Sequence, residues 1–317
     1  MASFDTPEPI SMSVELGAGH IQIAAGDRVD TVVEVRPSDP SKRADVTAAE
    51  RTLVEYAEGA LVIRVPRRRA YSVLGAGPES VDVEISVPAG SRLTVDAGAA
   101  ALRATGRLGD CQVKTGFGEI RLAAAGAVQL RTGARDVTVD LVAGQAEVST
   151  GAGALTIGVI EGSAQLRTGA GNVTVDRVAG PAQVSTGAGS VRIGAVEGPA
   201  TIKGTLDTWI GQVGGDLEVR AAYGGISVDR AEQAVIAKTP LGDVRLGEVR
   251  LGSIVAQTGH GRVDVGVLPG VAVWLDLQTR CGNVVNELEA AGPPQAGEEA
   301  VEVRARTSFG DITVRRS

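Results

Sequence analysis

"LRTGAGNVTVDRVAGPAQVSTGAGSVRIG", residues Leu166 to Gly194, states one pattern twice. Each copy has a threonine and glycines, then β-branched residues alternating with polar ones, then a glycine and a proline or alanine. Aligning the chain on that threonine places it at Thr115, Thr132, Thr150, Thr168 and Thr186. Weaker copies stand at Gly204, Ala221, Thr239, Thr258, Thr279 and Thr307, and Ala97 fits upstream. The commonest step is 18 residues, as from Thr150 to Thr168. A fixed period of this length marks a solenoid, in which each repeat buries its apolar face only against its neighbours.

Within the copy that starts at Thr168, Val173 and Val175 alternate with polar residues, Val178 stands alone, and Ala182 and Val184 alternate again. Period-two alternation puts the apolar side chains of a strand on one face, and Gly169, Gly171 and Gly180 supply corners. The expected fold is all-β: a parallel β-solenoid of about 18 residues per coil, three-sided and right-handed.

A coil of 36 residues is the rival. The residue before the threonine reads Arg131, Ser149, Arg167, Ser185, Lys203, and the eighth after it reads Asp140, Gly158, Asp176, Gly194. With one repeat per coil, equivalent side chains stack about 4.8 Å apart, where like charges repel, so the skipping of charges separates them. A 36-residue coil sets Arg131 over Arg167. Duplication of a two-repeat unit also produces the skipping, since 131–166 and 167–202 are nearly identical.

Composition agrees with narrow coils. The 317 residues are 43% hydrophobic but only 3% aromatic, with 43 glycines, so the core is built of valine, alanine, isoleucine and leucine. A net charge of -7 opposes a polyanion as main partner, so no nucleic acid is expected. No stretch suggests a membrane span, no export signal opens the sequence, and Cys111 and Cys281 make no disulfide framework; a cytoplasmic protein is expected.

The ends differ from the middle. Residues 1–96 read as irregular N-terminal β coils or a cap continuous with the solenoid, with a capping-box-like Thr47-Ala-Ala-Glu50 that allows a helical turn. Residues 97–317 read as regular repeats with an inserted loop at 287–300. The last coil, "RTSFGDITVRRS", reads as an open end guarded only by Arg315 and Arg316, so a homo-oligomer through this C-terminal coil is expected, the alternative being a monomer whose 287–300 loop folds over that coil.

The segments "TGFGEIRL", "TGAGNVTV", "TGAGSVRI" and "TSFGDITV", preceded by "VDVEISVPAGSRLTVDAG", resemble the bacterial β-strand-repeat "putative adhesin" family, domain of unknown function 4097, from about Ile10 to Val314. "RPSDPSKRADVTAAERTLVEYAEG" resembles its cytoplasmic actinobacterial members. The resemblance implies a β-solenoid without established activity, with relatives in envelope-stress systems, and it supplies no catalytic motif.

Candidate chemistry is sparse, and no catalytic residue, cofactor or metal is assigned. His260 and Cys281 share a coil position one repeat apart and are expected to stack in adjacent coils as corner residues. Cys111 falls where other repeats have Ala146, Ala164 and Ala182, a small core position. Asp136, Asp243 and Asp311 follow the glycine as in calcium β-rolls, but Ala154, Asn172, Ser190 and Arg262 break that pattern. Asp229 and Asp243 are the pair a solenoid carbohydrate hydrolase needs to have facing one another. Possible interaction residues are Arg67, Arg68 and Arg69 in a polar loop, Trp209, Tyr223 and Phe309. The expected function is a non-enzymatic structural or scaffold protein acting through its surface and ends. The alternative is a partner- or ligand-binding module, tied by the resemblance to envelope stress or adhesion.

Overall fold

A computed structural model describes residues 1–66, 79–288 and 300–317; Arg67, Arg68, Arg69 and most of the 287–300 insertion lie outside the described residues. The chain forms parallel β-solenoid coils in two compact units, Met1–Gly158 and Val159–Ser317.

In the first unit the repeats stack one per coil. Ala97 lies beside Thr115, Thr115 beside Thr132 and Thr132 beside Thr150, in parallel strands. A representative coil is the strand Val128–Ala134, a corner, and the strand Val137–Val142. Val128, Leu130, Thr132, Val137 and Val139 point inward and are buried, and Val142 returns inward after two residues. That two-residue step falls within the second strand, so this coil is built of two strands. In the second unit Thr168 lies beside Thr186, Gly204 beside Ala221 and Thr239 beside Thr258. Arg167 pairs with Ser185, and Ser185 with Lys203, which excludes the 36-residue coil.

The repeated residue types follow from the backbone. The threonine is buried, so its hydroxyl needs a partner, and it donates to a corner carbonyl: Thr186 to Gly171 O at 2.9 Å, Thr258 to Gly242 O at 2.8 Å. In several coils the glycine two residues before the second strand takes a left-handed φ, +145° at Gly171 and +154° at Gly261. The glycines eight after the threonine have a steric cause rather than the electrostatic one expected from Asp140 and Asp176. A Cβ on Gly158 would stand 2.3 Å from Asp140 O, and one on Gly194 2.4 Å from Asp176 O. Charge separation is also not a general rule of the stack: Lys114 lies beside Arg131, and Lys203, Arg220 and Lys238 follow one another. These side chains stand outward in water, where a carboxylate reaches some of them, as Glu147 reaches Arg131 at 2.8 Å.

Both chain ends depart from sequential stacking. The strand Ser11–Gly26 is a whole coil, paired along Arg92–Arg107 on one side. On its other side lie Ala60–Arg64 and Ser80–Pro88, so the first coil of the chain is an inner one. Beyond it the pairing turns antiparallel, with Asp30–Pro37 on Ser80–Pro88, Ala2–Asp5 on Asp30–Pro37, and Leu53–Ala57 on Ala60–Arg64. The helix Arg43–Glu50 packs on Asp30–Pro37 and Ser80–Pro88. A helical turn is therefore present, but Thr47 is not its cap: it sits inside the helix and donates to Arg43 O at 2.8 Å, while Lys42 holds the cap position without a side-chain bond.

The C-terminal expectation is corrected in the same way. Thr307 lies beside Thr258 on one side and beside Thr279 on the other. The last coil, Ala300–Phe309 and Ile312–Arg316, is therefore an inner one, and Ala272–Cys281 with Val284–Asn286 forms the outer coil. Arg315 meets Asp264 at 3.2 Å, Arg316 donates to Leu268 O and Val271 O at 2.9 and 3.0 Å, and the Ser317 N–H reaches Val267 O at 3.1 Å. A terminal strand with a neighbour on each side resists the fraying that an edge strand suffers. Val301, Val303 and Ala305 are 0% exposed, whereas their partners Val273, Leu275 and Leu277 in the outer coil are only half-buried.

Candidate interaction surface

The side chains that suggested chemistry are engaged in structure. Asp136 Oδ1 accepts the Ala154 N–H at 2.8 Å, Asp243 Oδ1 that of Arg262 at 2.7 Å, and Asp311 Oδ1 that of Asn283 at 2.8 Å. Asn172 and Asp207 do the same for Ser190 and Gly225 at 3.0 and 2.8 Å. The aspartates that a calcium roll would use are thus corner braces between coils. Asp229 and Asp243 do not face each other: Asp243 shares its column with Gly225 and Asp229 shares its own with Gly247, four residues further, roughly 13 Å along a strand.

His260 and Cys281 are also apart. Phe309 is the register partner of both, which leaves them two coils and about 10 Å from each other. His260 instead stacks on Phe309, with centroids 4.7 Å apart and planes 13° apart. Cys111 is buried at the predicted core position beside Val128, and burial, helped by the charge of Asp110, pushes its thiol up to about 12.

In the first unit, a cleft of about 440 Å³ runs along the corner, lined by His20, Ser80, Phe117, Glu119 and Arg135 among small residues. His20 Nδ1 lies 2.9 Å from Asp82 Oδ1, which also accepts the Ser38 hydroxyl at 2.6 Å. Burial raises the Asp82 carboxyl, but the hydrogen bonds from Ser38 and His20, with the His20 charge, outweigh it and hold the carboxyl below the usual range. At the other end Arg135 takes φ 108° where most repeats have glycine, and its guanidinium lies 4.5 Å from the Phe117 ring centroid. The Ser38 hydroxyl near His20 is itself bonded to Asp82, and the Ser80 hydroxyl to Ser38 at 2.8 Å, so both belong to the same local network.

The predicted interaction residues separate into three cases. Arg67, Arg68 and Arg69 lie outside the described residues. Trp209 is half-buried on the second strand of its coil, with the Arg192 guanidinium 4.8 Å above its ring. Tyr223 and Phe309, 69% and 51% exposed, stand in the corner column of the second unit. That column continues through exposed Leu241 and His260: Leu241 is the register partner of His260, and His260 of Phe309. In the neighbouring copies Ala170 and Ala188 occupy this position.

Sequence reasoning did not join Tyr223 and Phe309 to Leu241 and His260, because the last two look unremarkable until coil order makes them neighbours. It also missed the cations beside the column. The residues before the threonine, used there only to test coil length, form an outward row containing Lys203, Arg220, Lys238 and Arg306.

No protein-family model and no curated protein matches the chain. Among solved structures it is similar to a "putative cell adhesion protein" of Clostridium sporogenes, at 9% identity and TM-score 0.23, over 100% of this chain and 98% of the other. It is similar to a "putative adhesin" of Parabacteroides distasonis, at 11% identity and TM-score 0.35, over 98% and 95%. A "putative adhesin" of Bacteroides fragilis is similar at 12% identity and TM-score 0.22, over 99% and 95%.

Proposed function

We propose that this chain is a non-enzymatic scaffold that acts through its surface and its outer coil, where a second copy associates. The observation that carries this is the open outer coil of the second unit. The strand Ala272–Cys281 pairs with Ala300–Phe309 on one side, and among the described residues no strand is in register with its other edge. Unpaired N–H and C=O groups along such an edge, with half-exposed Val273, Leu275 and Leu277 behind them, favour addition of another strand. Trp274, Val284 and Val285 add 63%, 45% and 41% exposed apolar side chains. A two-fold contact closes after one interface, so a dimer is favoured over a filament. Deletion of 309–317, which an open C-terminal coil would invite as a test, removes an inner strand and probes folding instead.

The test is sedimentation velocity over a dilution series up to about 100 μM, where a micromolar dimer is saturated. The wild type is expected to form a dimer, and the double variant Trp274→Lys, Val285→Lys to remain monomeric with an unchanged melting temperature. A wild type that stays monomeric throughout overturns the proposal.

A second reading, a partner-binding module, is favoured by the exposed column through Tyr223 and Phe309. The proposal also keeps a reducing, cytoplasmic setting, supported by free Cys111 and exposed, free Cys281. It keeps the relation to the β-strand-repeat "putative adhesin" family as well, supported by the T-G-x-G segments; an adhesive or envelope-stress role belongs to the second reading.

A further inference from the structure

From the corner of the second unit we infer that it binds an extended peptide in which acidic and apolar residues alternate. The inference rests on the partner-binding reading and names the partner's chemistry. Two columns run side by side across successive coils. One is the cation row before the threonine, with Lys203, Arg220 and Lys238 in consecutive coils and Arg306 two coils beyond Lys238. No carboxylate interrupts the row in this unit, although the chain as a whole carries net charge -7. Arg220 is met by Glu218 at 2.7 Å and Arg306 by Asp276 at 3.3 Å, while Lys203 and Lys238 make no ion pair among the described residues. The other column is the ridge of Tyr223, Leu241, His260 and Phe309, apolar apart from the imidazole of His260, which stacks on Phe309.

The columns stand three residues apart, roughly 10 Å along the chain, and between them lie Ala222, Pro240, Gly259 and Ser308, whose small or compact side chains leave a trough. Near Arg306 the trough opens into a cleft of about 720 Å³ lined by Gln257, Gln278, Arg280 and Ser308. A peptide strand in the trough sends alternate side chains to opposite sides, so one set meets cations and the other meets the ridge. From Lys203 to Arg306 there are four coil steps, about 19 Å, which six residues of strand span. A purely acidic polymer leaves the ridge uncovered, and a purely apolar peptide leaves the cations unused.

The test uses the full chain and a fluorescein-labelled peptide of about eight residues alternating glutamate with leucine. Anisotropy titration is expected to show saturable binding that weakens about tenfold or more between roughly 50 and 300 mM salt. Lys203→Glu with Lys238→Glu is expected to weaken it about tenfold, as is Tyr223→Ser with Phe309→Ser, each with unchanged melting. Polyglutamate, single-stranded DNA and a lysine-leucine peptide serve as comparison ligands. Absence of binding, equal binding of any comparison ligand, or insensitivity to either variant pair overturns the inference. An apolar dye separates the two levels: dye binding lost in the Tyr223, Phe309 variant while the peptide fails means that the ridge is a binding surface and only its partner class is wrong. Loss of both signals in the wild type removes the partner-binding reading itself.

Discussion

A buried hydroxyl and a buried thiol show how single residues hold the coil. Thr258 is 7% exposed and donates to Gly242 O at 2.8 Å. Thr258→Val keeps the shape and leaves that carbonyl without its donor, so chemical denaturation is expected to show a loss of about 1–2 kcal/mol, with Thr258→Ser losing less. Cys111 has the opposite problem, since its charged form is what the core excludes. Its thiol is raised from 9.0 to about 12, so the folded state keeps a proton that the unfolded state releases above pH 9. Stability from this group is complete below pH 9 and declines between pH 9 and 12, at a slope approaching ~1.4 kcal/mol per pH unit. Melting across that window is expected to fall less steeply in Cys111→Ala than in the wild type; equal slopes would show that the thiol is not the group responsible.

At the level of the coil, electrostatics is weaker than the alternation of Arg131, Ser149, Arg167 and Ser185 suggests. Ser185 lies between Arg167 and Lys203. Because Lys203, Arg220 and Lys238 already stack at this position, Ser185→Arg is expected to cost only about 0.5–1 kcal/mol relative to Ser185→Gln at low salt, and nothing at high salt. Urea denaturation of the pair at two ionic strengths checks this. The repeat length, the inward columns and the core position of Cys111 were legible because periodicity and burial are local: Val173, Val175 and Val178 announce the inner face wherever the coil sits. Coil order was not legible. A repeat period is the same whether Thr307 stacks on Thr279 alone or between Thr258 and Thr279, and only the strand register chooses between them. The capping-box reading of Thr47 failed for a related reason, since a four-residue motif does not record whether a helix has already begun at Arg43.

At the scale of the chain, coil order decides the function assigned to each end. With Ser11–Gly26 and Ala300–Phe309 as inner coils, both strands carry core packing, and the proposed association moves to Ala272–Cys281. The same order makes neighbours of Leu241, His260 and Phe309 and so creates the ridge. The candidate surface was half legible for this reason: its aromatic members stand out in a chain with 3% aromatics, but their company depends on the order of stacking. The most direct test of that order is a cross-link. Phe309 and Cys281 are register partners, so their Cα atoms are about 4.8 Å apart, within disulfide reach, whereas His260 and Cys281 are separated by about 10 Å, beyond it. Mild oxidation of dilute Phe309→Cys is expected to join positions 309 and 281 within one chain, mapped by mass spectrometry, while His260→Cys leaves Cys281 free. A disulfide between 260 and 281, with none between 309 and 281, would contradict the account.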